Sequence, residues 1–223
     1  MQYIKEAIRE NKFFLIPFIL VLIITAPVLA GQDKLEVHLF LNRYHSNFGD
    51  GFFRSVTKLG DGSIPFILGA ILALFSFRKA LLVAAGGTLA GLIAQFMKRI
   101  LFPQVMRPYH FFRNHEGFHF VRDYDLYSSH SFPSGHAATI FAMALCMAAI
   151  SRNKWIKVLF FILAIIVAYS RVYLSQHFLT DIYFGSILGM LSALGTYTFL
   201  YSRKSPWLDN SFRSLLGTRT HHG

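Results

Sequence analysis

Ser170-Arg171-Val172-Tyr173-Leu174-Ser175-Gln176-His177-Phe178-Leu179-Thr180-Asp181 closes one long apolar run and opens the next. A cation, an imidazole and a carboxylate therefore meet where two membrane segments reach water. Polar groups at that depth are costly unless they are paired or used. His177 and Asp181 stand four residues apart. On a helix they share a face, so one ring nitrogen donates to the carboxylate while the other points away. Such a pair makes a nucleophile or a base, with Arg171 near enough to hold an anion.

Outward from this stretch the pattern repeats. Residues 13–30, 61–78, 80–101, 135–151, 155–173 and 178–201 read as six spans of a hydrocarbon core of ~30 Å. The second is short and borrows the polar Gly60–Ser63 to complete its crossing. With 223 residues, 54% of them apolar, 24 Phe and a mean hydropathy of +0.44, the chain is neither disordered nor an ordinary soluble domain. The expectation is one all-α domain over 1–223, a six-helix membrane bundle. Between its first two spans, residues 33–60 carry apolar residues at helical spacing. They read as two interfacial helices on the outer leaflet, broken at Gly49-Asp50-Gly51. Val28-Leu29-Ala30 loosely fits a signal-peptide cleavage site, but the length of the run and the membrane character of the body favour a retained span. Cys146, the sole cysteine, lies inside an apolar block, so no internal disulfide forms.

The formal net charge of +11 has two readings, nucleic-acid binding or membrane topology. Placement favours topology and no nucleic-acid partner. Lys5, Arg9 and Lys12 precede the first span, Arg78 and Lys79 follow the second, Arg152, Lys154 and Lys157 follow the fourth, and Arg203 and Lys204 follow the sixth. Every second connection is thus basic, which puts both termini in the cytoplasm. Asp33, Glu36, Asp50, Asp61, Glu116, Asp123, Asp125 and Asp181 fall on the other side, together with several Lys and Arg.

Residues 102–134 form a loop too long for a tight connection, which marks it as functional. His115-Glu116-Gly117-Phe118-His119 within it is a formal H-E-x-x-H, the zinc-protease pattern when carried on a helix. Gly117 weakens that helix, and no third ligand stands at a familiar spacing. Arg113 and Arg122 either select a headgroup or pair with Glu116, Asp123 and Asp125. The loop ends in Pro133-Ser134-Gly135-His136, where Ser134 suits an N-cap and Gly135 permits close approach of an anion to free N–H groups. Lys98 at the end of the third span reads by itself as a snorkelling anchor.

Taken together, Pro133-Ser134-Gly135-His136 and Ser170-Arg171, with five residues to His177 and three more to Asp181, resemble the type 2 phosphatidic acid phosphatase (PAP2) superfamily, in its membrane lipid phosphate phosphatase branch. The first motif departs from the family pattern. The family usually places six residues between its lysine and Arg-Pro, whereas eight separate Lys98 from Arg107-Pro108, so the helix end must bulge or lengthen if Lys98 is to reach a phosphate. The resemblance implies a metal-free, cofactor-free hydrolase acting on a phospholipid or isoprenoid lipid phosphate. His177 would attack phosphorus, Asp181 fix its tautomer, and His136 serve as acid and base. Lys98, Arg107 and Arg171 would neutralise phosphate oxygens, with Ser134 and Gly135 adding donors. Undecaprenyl pyrophosphate, phosphatidylglycerol phosphate, phosphatidic acid and lipid A phosphates all stay open, as does transfer in place of hydrolysis. The expected location is a bacterial cytoplasmic (inner) membrane with the active site extracytoplasmic. The competing readings are a zinc-dependent membrane protease on His115, Glu116 and His119, or a non-catalytic phosphate-binding membrane protein. The His221-His222 tail reads as disordered.

Overall fold

A computed structural model of the chain describes residues 2–217, and its regular structure there is entirely helical. The His221-His222 tail lies outside the described residues. After a short amphipathic helix α1 (Gln2–Glu10), four helices are long and apolar enough to cross a membrane. They are α2 (Lys12–Gly31), α6 (Phe77–Phe96, prolonged by a π turn over Met97–Leu101), α9 (Lys154–Tyr173) and α10 (Leu179–Ser202). These make the chain an integral membrane protein. A fifth crossing arises if two helices joined by a 58° bend count as one: α4 (Asn47–Val56, with a 3-10 turn to Gly60) and α5 (Ile64–Ala73).

The expectation of six full spans is thus met by four or five. Two blocks fall short for local reasons. Pro65 opens α5 late, and Ser76 already caps α6, accepting from the Lys79 N–H, so α5 has ten residues. The helix α8 (Gly135–Ile150) starts at its Ser134 cap and has 16 residues, ~24 Å of rise.

Between α2 and α5 lie α3 (Lys34–Asn42) and α4. Asp33 caps α3 through the Leu35 N–H at 2.7 Å, and Ser46 caps α4 through the Gly49 N–H at 3.0 Å. The break therefore falls between residues 42 and 47, not at Gly49-Asp50-Gly51, which sits inside α4. Gly49 serves a close approach: a Cβ there would strike the Tyr173 hydroxyl, which bonds Ser46 and Asp50. The long loop contains one short helix, α7 (Pro108–Phe112). No ion pair joins Arg113 or Arg122 to Glu116, Asp123 or Asp125 among the described residues.

Helix α8 forms the axis of the bundle, buried from Ala137 to Cys146, with α6, α9 and α10 around it. Small residues let these helices approach without a hydrophobic drive, since lipid tails are as apolar as the helices. A Cβ on Gly185 would lie 2.6 Å from the Ser134 carbonyl, and one on Gly189 would lie 3.0 Å from the Ala142 nitrogen. The starts of α8 and α10 are further tied by the Ser134 N–H donating to the Asp181 carbonyl at 3.0 Å. The outlier is α2, which touches the bundle along Phe14, Leu15 and Phe18 while Ile23 and Ile24 are 62% and 72% exposed. At the end of the bundle holding the basic connections, Arg78 donates to the Leu200 and Arg203 carbonyls and pairs with Asp209.

Candidate active site

At the opposite end of the bundle, the ends of α6 and α9, the start of α8 and the bend before α5 enclose a cavity of about 590 Å³. Lys98, Arg107, Arg171, Gly135, His136 and His177 all line it, and no carboxylate does. Phe66 of α5 and Leu92 of α6, 57% and 61% exposed, flank the cavity on the apolar side of the bundle. It therefore opens sideways, between the exposed faces of α5 and α6.

His177 sits in the turn between α9 and α10, held there by Gln176 and His177 N–H groups donating to the Arg171 carbonyl. Its Nδ1 lies 3.3 Å from Asp181 Oδ2, which leaves Nε2 for the cavity. The same carboxylate oxygen accepts from the Ser131 hydroxyl at 2.5 Å and the Phe178 N–H at 3.0 Å. Three donors thus fix one oxygen, and that oxygen fixes the ring. Burial holds the His177 imidazole well below its ordinary pKa, with Arg107, Lys98 and Arg171 adding to the shift. A neutral ring with a free Nε2 lone pair is the form a nucleophile needs.

The cations are placed by different means. Lys98 is 5% exposed on the π turn, and its ammonium has no hydrogen-bond or ion-pair partner among the described residues. An unmatched ammonium on the cavity wall suits an anionic ligand. Arg107 is fastened by carbonyls: its Nε donates to Ser129 at 2.9 Å, and Nη1 donates to the Gln176 backbone and side-chain oxygens at 3.1 and 3.0 Å. Burial lowers its pKa to about 10, which leaves it charged at neutral pH. Arg171 donates to the Thr57 and Tyr124 hydroxyls at 2.8 and 2.9 Å, while its buried Nε finds no partner.

His136 occupies the first turn of α8, with Nε2 2.9 Å from Asp61 Oδ1. Gly135 lines the cavity. Ser134 does not: it is fully buried and spends its hydroxyl on the Ala137 N–H as the α8 cap. Sequence reasoning made Ser134 both cap and phosphate donor, and the cap is the role its contacts fill.

The H-E-x-x-H segment is not helical. His115 Nδ1 lies 2.9 Å from the Glu116 carbonyl, and His119 stacks on His45 and pairs with Asp50 at 3.0 Å. The two imidazoles therefore lack the common helical face that a zinc pair requires.

The family model described as the PAP2 superfamily matches residues 79–205, more than half of the chain. The chain belongs to the PAP2 superfamily. Among curated relatives, the lipid A 4'-phosphatase of Porphyromonas gingivalis is 36% identical over 83 residues, 37% of this chain and 35% of its own. The chain thus spans about a third of that relative's length. Among solved structures, LpxE of Aquifex aeolicus superposes with a TM-score of 0.63 at 26% identity, covering 73% of this chain and 93% of its own. A transmembrane PAP2-type phosphatidylglycerolphosphate phosphatase from Bacillus subtilis shares the fold, with a TM-score of 0.59 at 20% identity over 89% of this chain and 99% of its own.

Within this PAP2 fold, several site residues escape the motif reading. Thr57 and Tyr124 hold Arg171, Gln176 holds Arg107, Ser131 holds Asp181, and Asp61 meets His136. Asp61 was the findable one: a carboxylate opening an apolar block, flanked by two glycines, is a polar group at membrane depth.

Proposed function

We propose that this PAP2 protein is a lipid phosphate phosphatase whose charge neutralisation comes from Lys98, Arg107 and Arg171. The observation that carries the reading is a carboxylate-free cavity in which three cations surround His177. Phosphoryl transfer asks a protein mainly for positioning and for neutralising the equatorial oxygens, and three fixed cations supply both. His177 Nε2 attacks phosphorus in line, forming an N–P bond as the ester P–O bond breaks. The leaving oxygen takes the electron pair and a proton from His136. Water then attacks the phosphohistidine, returns a proton to His136, and frees phosphate and His177. Asp181 stabilises the positive charge that the ring carries between the two steps.

The lateral opening and the membrane body favour a lipid substrate over a soluble ester. In this reading α5 and α8 complete six crossings, both termini face the cytoplasm and the cavity faces outward. Phosphatidic acid, phosphatidylglycerol phosphate, lipid A phosphate and undecaprenyl pyrophosphate are the panel to assay for phosphate release, with a chelator present. His177→Ala should lower turnover by about 10³-fold or more, and Lys98→Ala by about 10²-fold. Phosphate release that survives His177→Ala, or no release from any lipid by the unmodified protein, would overturn the proposal.

A further inference from the structure

The two imidazoles of the site are not equivalent. His177 is wholly enclosed with its own buried carboxylate. His136, its side chain 28% exposed, stands between the main cavity and a second, outward one of about 390 Å³. Asp61 belongs only to the outer cavity, where Lys58, Asp125 and Tyr124 also lie. The route by which Asp61 arrives is specific. The 58° bend between the 3-10 turn and α5 turns the chain toward the site. Gly60 at the bend packs so tightly that a Cβ there would lie 3.1 Å from both His136 Cδ2 and Val167 Cγ1. The backbone is thereby pressed against the ring, and the next residue sets its carboxylate 2.9 Å from Nε2.

The charges around His136 explain why this matters. Arg171 from α9 and Lys98 from the end of α6 face it, with Arg107 and His177 on the same cavity wall. Burial of the ring, and after it the positive charges of Arg171 and Lys98, disfavour its protonated form. The reaction needs His136 protonated at the moment the ester bond breaks. Asp61 is the carboxylate within contact distance that offsets the cations, itself screened in part by Lys58.

We propose that Asp61 is a positioning residue that holds the His136 ring and favours its protonated form against burial and the neighbouring cations, so that the same ring can give and retake the proton. Asp61 touches neither phosphorus nor its oxygens in this account, which rests on the phosphatase reading above. The bend between α4 and α5 then has a chemical purpose as well as a topological one.

The test compares unmodified protein with Asp61→Asn and Asp61→Glu, using phosphatidic acid in mixed micelles. Asp61→Asn should lower kcat about tenfold with little change in KM. Because the general acid must be protonated, loss of the carboxylate should also move the alkaline limb of kcat/KM to lower pH, and Asp61→Glu should restore it. A second arm does not need turnover: diethyl pyrocarbonate attacks only neutral imidazole, and peptide mass spectrometry reads its rate at His136. At acidic pH that rate should be higher in Asp61→Asn than in the unmodified protein, with the ratio closing to unity by about pH 8. An unchanged pH profile, or a rate ratio constant across pH, would reduce Asp61 to a structural tether and overturn the proposal. If the unmodified protein turns over no lipid phosphate, the phosphatase reading fails, while the modification arm still decides the link between Asp61 and His136.

Discussion

Eight residues separate Lys98 from Arg107, and the π turn over Met97–Leu101 is where part of that surplus is absorbed. A π turn inserts extra backbone into a helix without ending it. It leaves Lys98 on the cavity wall, which motif spacing alone could not tell from a snorkelling anchor. His177 and Asp181 were legible because their contact is local, although His177 reaches it from the turn before α10 and not from a helical face shared with Asp181. His38 was not, because its surroundings come from three distant segments. Its ring lies among Phe112, Phe118 and Phe178, with Nε2 3.2 Å from the Ser175 hydroxyl and Nδ1 unpartnered. Burial pushes the His38 pKa down to about 4 from 6.5. The unfolded chain therefore binds a proton below the ordinary value that the folded chain refuses. Stability from this group is complete above about pH 6.5 and is lost as pH falls toward 4, by about 3 kcal/mol. Thermal unfolding in detergent across that window should show the decline, and His38→Gln should flatten it. Parallel curves for the two proteins would refute the assignment.

At the level of helices, the hydropathy of the chain marked each apolar block but not how closely the blocks pack. Gly185 and Gly189 lie one turn apart on α10, facing the Ser134 carbonyl and the α8 backbone. That contact draws together the starts of two helices, and with them His136 and His177. Gly195, one and a half turns further on, faces nothing within 4 Å. The two glycines make a matched pair. Gly189→Ala forces a Cβ into backbone and should cost about 1–3 kcal/mol of stability, with activity falling alongside. Gly195→Ala should be neutral or stabilising by up to about 1 kcal/mol, from the helix propensity gained. Equal melting temperatures for both variants would count against a tight α8–α10 seam. The length of α5 was misjudged for a related reason. The apolar run extends through Leu74 and Phe75 to Phe77, whereas α5 stops at Ala73 and Ser76 caps the next helix.

Over the whole molecule, the basic connections at one end and the cation-lined cavity at the other define an axis that the charge pattern alone had indicated. Cys146 is buried, so cysteines introduced at exposed sites report sidedness with little background. In right-side-out vesicles, a membrane-impermeant maleimide should label Arg122→Cys at once and Lys79→Cys only after permeabilisation. The reverse order would invert the molecule in the bilayer and with it the source of its substrate. The sideways opening beside Phe66 and Leu92 carries one more consequence. A reactant that slides in along its own leaflet performs a two-dimensional search. Its encounter rate is then governed by surface density, and dilution with inert detergent at constant total lipid should slow the enzyme as surely as removing substrate.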